Sequence, residues 1–289
     1  MNIFACISGY DSGMDHIQEK IVIKGNVSLL IKDSRKEQDD YASCRIQKGL
    51  LLAFDENDLS EEGIGFGVPI IRFKHKDIFP GSAQITTSRD GDKTAVTVDY
   101  DLNLEESMEV LGNKINNRAF YRIKECLSRL HRECPRSRKK LTQASNMLRR
   151  FFDIETRFKE VTSIGIVRVL YVIHTGNIYV SVDTGRINKN GCTGIMLMNE
   201  QGASYFDIYH DSSGAILKKN SIGTWDETFA QEAYFRDSIH DIEFMLQKAD
   251  GAKMFMGRER VPGRLAWSGL AYSIPPVSTS FSYHIRVLT

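Results

Sequence analysis

Trp225-Asp226-Glu227, with Phe229, Tyr234 and Phe235 close behind, is the most sugar-like constellation in this 289-residue chain. Aromatic faces stack on pyranose rings, and carboxylates beside them accept hydroxyl hydrogen bonds or do general acid–base work. Asp226 and Glu227 are the catalytic candidates of this stretch, and Trp225 is the binding one. A second group, Arg258, Arg260, Arg264 and Trp267, combines guanidinium with indole, which suits an anionic sugar or another carboxylate. Arg258 and Trp267 are its binding candidates. The plain alternative for both groups is a loop capped by aromatic core residues, with its charges in water.

Histidine is the next place to look. His210-Asp211 and His240-Asp241 each place an imidazole beside a carboxylate near a strand end. Neighbouring residues on a strand point to opposite faces, which weakens both as acid–base pairs. His210 stays as a catalytic candidate. None of the seven histidines pairs as H-x-H or H-E-x-x-H, so no metal site is expected, and no cofactor motif is present. Asp183-Thr184-Gly185 after an apolar strand has the form of an aspartic-protease motif, but a turn explains it. Asp90-Gly91-Asp92-Lys93-Thr94 has the form of a phosphatase motif, but it reads as a hairpin turn.

Gly63-Ile64-Gly65-Phe66-Gly67-Val68-Pro69 strips side chains from one face of an extended segment, because strand side chains alternate. A bare face admits a ligand or another backbone. The basic run after it makes Arg72 and His75 ligand-binding candidates. The alternative is a kinked sheet corner with solvated charges.

The whole chain carries a net charge of +1, so no global attraction to nucleic acid or membrane operates. The charge is uneven. Residues 116–150 hold eleven Lys/Arg against Glu125 and Glu133, a local +9 that leaves −8 for the rest. The first residues have no basic and apolar leader pattern, and no apolar run approaches a membrane span. Five cysteines, an odd number at wide spacing, point to a reducing, cytoplasmic setting without disulfides.

These residues must be positioned by strands. Residues 1–17 read as a loose start or one short edge strand, Ile3 to Ile7, and short β-branched and apolar runs separated by turn signals fill residues 20–102 and 161–288. The expected fold is mainly β, a large antiparallel β-sandwich, as a single domain over 1–289. A helical segment at about 103–160 is expected between its two β blocks. Glu105 to Leu111 is a short helix candidate. Phe120, Ile123, Leu127, Leu130 and Cys134 then share one helical face, and Leu141, Ala144, Leu148 and Phe151 or Phe152 mark another.

The glycine-rich corner, with its paired strands on either side, resembles the supersandwich of galactose mutarotase-like and polysaccharide-lyase proteins. That resemblance implies a bias towards carbohydrate ligands over the β portions and assigns no activity. The resulting expectation is a carbohydrate-binding or carbohydrate-active protein of unassigned reaction, with a sugar or sugar acid as ligand. One alternative is a non-enzymatic interaction protein that oligomerises through the basic helical segment. The other is nucleic-acid or polyanion binding through the same segment.

Overall fold

The computed structural model describes residues 17–32, 46–110, 113–114, 154–261 and 265–289, together with Arg122, Cys126, Met147 and Phe151. A small sheet comes first: β1 (Ile17–Lys24), β2 (Val27–Lys32), β3 (Leu51–Phe54) and β4 (Asn57–Asp58), paired in that order. The strands after it form one antiparallel sheet. They are β5 (Gly65–Phe73), β6 (Lys76–Asp90), β7 (Lys93–Val110), β8 (Asn113–Lys114), β9 (Ile154–Glu160), β10 (Gly165–His174), β11 (Asn177–Ile187) and β12 (Cys192–Gly202). Then come β13 (Phe206–Asp211), β14 (Ile216–Lys218), β15 (Asp226–Thr228), β16 (Glu232–Asp237), β17 (Ile242–Gln247), β18 (Lys253–Val261), β19 (Leu265–Ile274) and β20 (Ser280–Leu288). Their spatial order is β14-β13-β16-β17-β20-β11-β10-β7-β6-β5-β12-β19-β18-β15, with β8 and β9 on the far half of β7.

The expected helical segment at 103–160 is corrected by this sheet. Residues 103–110, which include most of the Glu105–Leu111 helix candidate, are the end of β7, and 154–160 are β9. The two pair from Leu104↔Glu160 to Val110↔Ile154. No α-helix stands among the described elements, whose one helical piece is a 3-10 turn at Lys219–Ser221. Arg122, Cys126, Met147 and Phe151 are exposed single positions of helical backbone, and the remainder of the two expected helical faces, like the edge strand Ile3 to Ile7, lies outside the described residues. The β blocks are therefore not separated: β7 of the first pairs with β10 of the second from Asp101↔Ile166 to Lys93↔His174. The error has a physical source. Spacing of three and four marks one side of a helix, but it carries no information about a strand that runs on past the point where its polar alternation fades.

The long sheet folds over on itself as a sandwich. Phe66 of β5 meets Phe244 of β17 edge-on at 5.2 Å, and Tyr272 of β19 meets Tyr283 of β20 at 4.9 Å. Near the two ends of the strand order, the hydroxyls of Tyr209 of β13 and Thr228 of β15 meet at 3.1 Å. β11 alternates strictly between buried and exposed residues from Ile178 to Gly185, as a strand with one face in the core and one in water must. β12 is buried on both faces from Gly194 to Gly202, which matches its unbroken apolar run Ile195–Met198.

Glycine shapes the corner that the sequence singled out. In the pairing of β5 with β12, Met198 faces Val68 and Asn199 faces Phe66, so Gly67 is an extra, unpaired residue. Gly65 and Gly67 sit at φ +87° and +80°, conformations that L side chains avoid. The bulge frees two backbone groups in the core, and both find partners. Tyr171 Oη donates to the Phe66 carbonyl at 2.7 Å, and Gly67 N–H donates to Asn199 Oδ1 at 3.1 Å. Those side chains are themselves held. Tyr100 and Tyr171 hydroxyls meet at 3.2 Å, and Tyr283 Oη donates to Asn199 Oδ1 at 3.0 Å.

One buried group is less well served. Glu200 is 6% exposed and accepts one long bond, from Ile64 N–H at 3.4 Å. Gly65 and Gly269 stand on either side of it in the neighbouring strands, and the missing side chain of Gly269, whose Cβ would lie 3.0 Å from Glu200 Cγ, makes its room. Burial pushes the Glu200 carboxyl up from 4.5 to about 8.

Two outcomes follow. A Cβ at Gly67 would lie 2.5 Å from Tyr171 Oη. Gly67→Ala is expected to cost about 3 kcal/mol in urea unfolding. Gly91→Ala, at a left-handed turn with open space around it, is expected to cost about 1 kcal/mol. Equal losses at both sites would refute the bulge geometry. For Glu200 the folded-state value is raised, so its stabilising contribution is complete below the ordinary 4.5 and is lost as pH rises towards about 8. Melting temperatures across that window should fall more steeply in the wild type than in Glu200→Gln, whereas parallel curves would rule out a neutral Glu200.

Candidate functional site

Trp225, Asp226, Arg258 and Trp267 do meet, at the β15–β18–β19 end of the sheet, but on opposite faces. Trp225 stacks on Trp267 at 4.7 Å and 10°. It lies over Gly257, where a Cβ would come within 3.1 Å of the indole. Trp225 also holds φ +56°, a left-handed conformation that a bulky residue adopts only where its surroundings impose it. The register pairs Glu259 with Trp267 and Arg258 with Ser268, so the Arg258 side chain leaves the opposite face from the indoles. Arg258 is buried and donates through Nη2 to the Ala203 carbonyl at 2.9 Å, while its backbone N–H donates to Gly223 O. Burial pulls its guanidinium down from the usual arginine value. Asp226 is buried beside Gly223, and Glu227 lies 3.3 Å from Lys253 Nζ. Guanidinium and indole thus do not face a common ligand. Phe235 is in the core and Tyr234 points the other way, so the aromatic cluster expected around Trp225 is split as well.

Arg72 and His75 stand at the β5–β6 hairpin, away from this group. Arg72 is exposed, with Nε 3.7 Å from the buried Asp77 carboxylate, and His75 is in the two-residue turn. Asp183 accepts from Gly185 N–H at 2.7 Å, the local turn bond that explains Asp-Thr-Gly. Asp90 and Lys93 close the β6–β7 hairpin with Gly91 at φ +58°. His240 takes the buried Asp237, not Asp241, at 2.6 Å, and Asp241 binds Arg236.

His210 is where the structure adds chemistry. Its side chain is on the solvent face of β13, and the register carries a straight row across the neighbouring strands. From Ile216 of β14 the row runs through His210, Tyr234 of β16, Met245 of β17 and Arg286 of β20 to Asn177 of β11. The His210 ring stacks on Tyr234 at 4.5 Å and 7°, and its Nε2 lies 3.4 Å from Glu243 Oε1. Tyr234 donates to Glu232 Oε2 at 2.6 Å, and Gln247 donates to Glu232 Oε1 at 3.1 Å. Burial, and then the Glu232 carboxylate, push the Tyr234 phenol up to about 12. The bonds from Tyr234 and Gln247 hold Glu232 below its ordinary value. Arg236 approaches Glu243 at 3.6 Å from the far side. Beyond Arg286, Tyr179 stacks on His284 at 4.6 Å and 16°.

An imidazole touching a carboxylate and lying flat on a phenol can exchange a proton with a bound hydroxyl, and the rings can hold an apolar sugar face. Glu232, Glu243 and Arg286 were not found from sequence because the row they belong to is assembled from four strands, β13, β16, β17 and β20. The signal present was the period of two in Glu232-x-Tyr234-x-Arg236 and Glu243-x-Met245-x-Gln247, which sets each trio on one face. Among the described residues no cluster of ligand-type side chains could hold a metal ion, and no helix is long and apolar enough to cross a membrane.

No protein-family model matches this chain, and no curated protein does. It is similar to two solved structures. HI1317 gives a TM-score of 0.37 at 9% identity, over 91% of this chain and 89% of that one. The Slr1438 protein from Synechocystis sp. PCC 6803 gives 0.40 at 6% identity, over 93% and 94%. At TM-scores of this size neither likeness places the chain in the mutarotase-like group.

The Trp225–Trp267 stack joins both tryptophans of the chain. Circular dichroism should therefore show one indole exciton couplet in the folded protein, lost alike in Trp225→Phe and Trp267→Phe. A couplet that survives either change would break this geometry.

Proposed function

We propose that the protein binds carbohydrate on the solvent face of β13, β16 and β17, with His210 and Glu243 as the pair that would do acid–base work there. The observation that supports this reading is the His210–Glu243 contact beneath a parallel Tyr234 ring. A carbohydrate enzyme needs a carboxylate and a second proton-handling group converging on one surface, and a lectin-like module needs the rings and hydrogen-bonding groups alone. This face has both sets. Glu232 and Gln247, fixed to each other and to Tyr234, are preorganised acceptors and donors for hydroxyls. The Trp225–Trp267 stack is a weaker seat, because Asp226 beside it is buried and Glu227 is held by Lys253.

Oligomerisation through basic helices is withdrawn, since no α-helix is among the described elements and the basic residues 116–150 lie almost wholly outside them. The nucleic-acid alternative rests on the same segment and gains nothing from the described residues.

Isothermal titration with neutral mono- and disaccharides tests the reading. Binding should appear and weaken about tenfold or more in His210→Ala and in Tyr234→Ala. Phe229→Ala, an exposed aromatic outside this face, should leave it unchanged. Absence of any sugar binding, or full affinity in both variants, would overturn the proposal.

A further inference from the structure

Arg286 is the cation at the centre of this face. It stands directly across from Met245 on one side and Asn177 on the other. Two ring stacks flank it, His210 on Tyr234 and Tyr179 on His284. Glu232 and Tyr234 lie within its electrostatic reach, as does His284. Yet the acids of this face are already engaged. Glu232 accepts from Tyr234 and Gln247, and Glu243 takes His210 and Arg236. Among the described residues Arg286 makes neither an ion pair nor a side-chain hydrogen bond. Its five donors form a planar fork suited to a carboxylate or phosphate. A second group beside it is also uncommitted: His284 Nε2 is buried and has no hydrogen-bond partner. Met245 between the rings is 1% exposed, so the floor of the row is apolar and closed.

We propose that this face selects sugars that carry an oxyanion, with Arg286 as the residue that receives the carboxylate or phosphate. The inference rests on the carbohydrate reading of the same face and adds the ligand's charge. A free guanidinium between two stacked ring pairs recognises a flat or ring-shaped body and an anion in one event. A neutral sugar would leave those donors to water. A uronic acid and a sugar phosphate present the same chemistry to the fork, so both are tested.

The experiment is calorimetric titration of the full chain at one ionic strength with four probes: glucose, galactose, glucuronate and glucose 6-phosphate. Wild type and Arg286→Gln are compared, with melting temperatures confirming that the exposed substitution leaves the protein folded. At least one anionic sugar should bind about tenfold tighter than its neutral parent, in line with a charge-assisted pair. Arg286→Gln should bring it down to the neutral level. Preference for glucuronate alone or for the phosphate alone would each support the proposal and identify the anion. Equal affinities in the wild type would overturn the inference while leaving the carbohydrate reading intact, and so would a preference that survives Arg286→Gln. If none of the four sugars binds, both fall together.

Discussion

The bulge at Gly67 is the constraint on which the rest of the sheet depends. An extra residue in β5 leaves a carbonyl and an N–H without ladder partners in the centre of the core, where an unmade hydrogen bond costs about 1–3 kcal/mol. Tyr171 of β10 and Asn199 of β12 supply those partners, and Tyr100 of β7 and Tyr283 of β20 hold them in turn. Five strands are thereby tied to one irregularity. β20 lies six places from β12 in the strand order, so the Tyr283–Asn199 bond forms only because the sheet curls back, and it also fixes how the two layers face each other. A network of this kind stabilises only when every member is satisfied, and here each hydroxyl and amide in it has a partner.

That fixed register has a consequence on the other side of the sheet. Tyr283 and Ile285 point into the core, so His284 and Arg286 must point out. Ile285 pairs with Leu246 and Phe235 with Phe244, and the residues between them are carried into line on the solvent face. A slip of one residue would turn the whole row inward, and the cost of burying Arg286, Glu243 and Glu232 excludes it. The polar row is thus positioned by the packing of residues that never touch it.

How much of this was legible in the sequence depends on the range of the interaction. Hairpins such as Asp90–Lys93 and the β1–β2 pair around Gly25 are set by two or three turn residues, and their signals were plain. The glycine corner was legible as a place of close approach, though not as a bulge filled by tyrosine and asparagine, because its partners Tyr171 and Asn199 lie 105 and 132 residues away. The β7–β9 extension was missed because residues 103–110 keep charges on a strand that pairs far from home, and charge there looked like the start of a helix. Trp225 and Trp267 stood out in the sequence as chemically distinctive, and their stacking is a product of strand register that no local pattern encodes. Arg258 was grouped with Trp267, nine residues on, without knowledge of register. The pairing of Arg258 with Ser268 and of Glu259 with Trp267 puts the two on opposite faces.

His210 shows most directly why a site on a sheet escapes one-dimensional reading. Its sequence neighbour Asp211 points the other way, accepts the Tyr209 hydroxyl at 2.7 Å and caps the turn at Ser213. Its true partners, Tyr234 and Glu243, are 24 and 33 residues distant and arrive through two strand pairings. The same geometry separates the two tasks of each strand. Tyr209, Phe235, Phe244 and Ile285 are almost fully buried and carry the packing, each worth about 1.5–3 kcal/mol of burial. His210, Tyr234, Glu243 and Arg286 alternate with them and stand in water or at its edge. Substitutions on the outer set can therefore alter what the face binds while the core stays closed, which is the condition under which a sheet surface can change ligand and keep its fold.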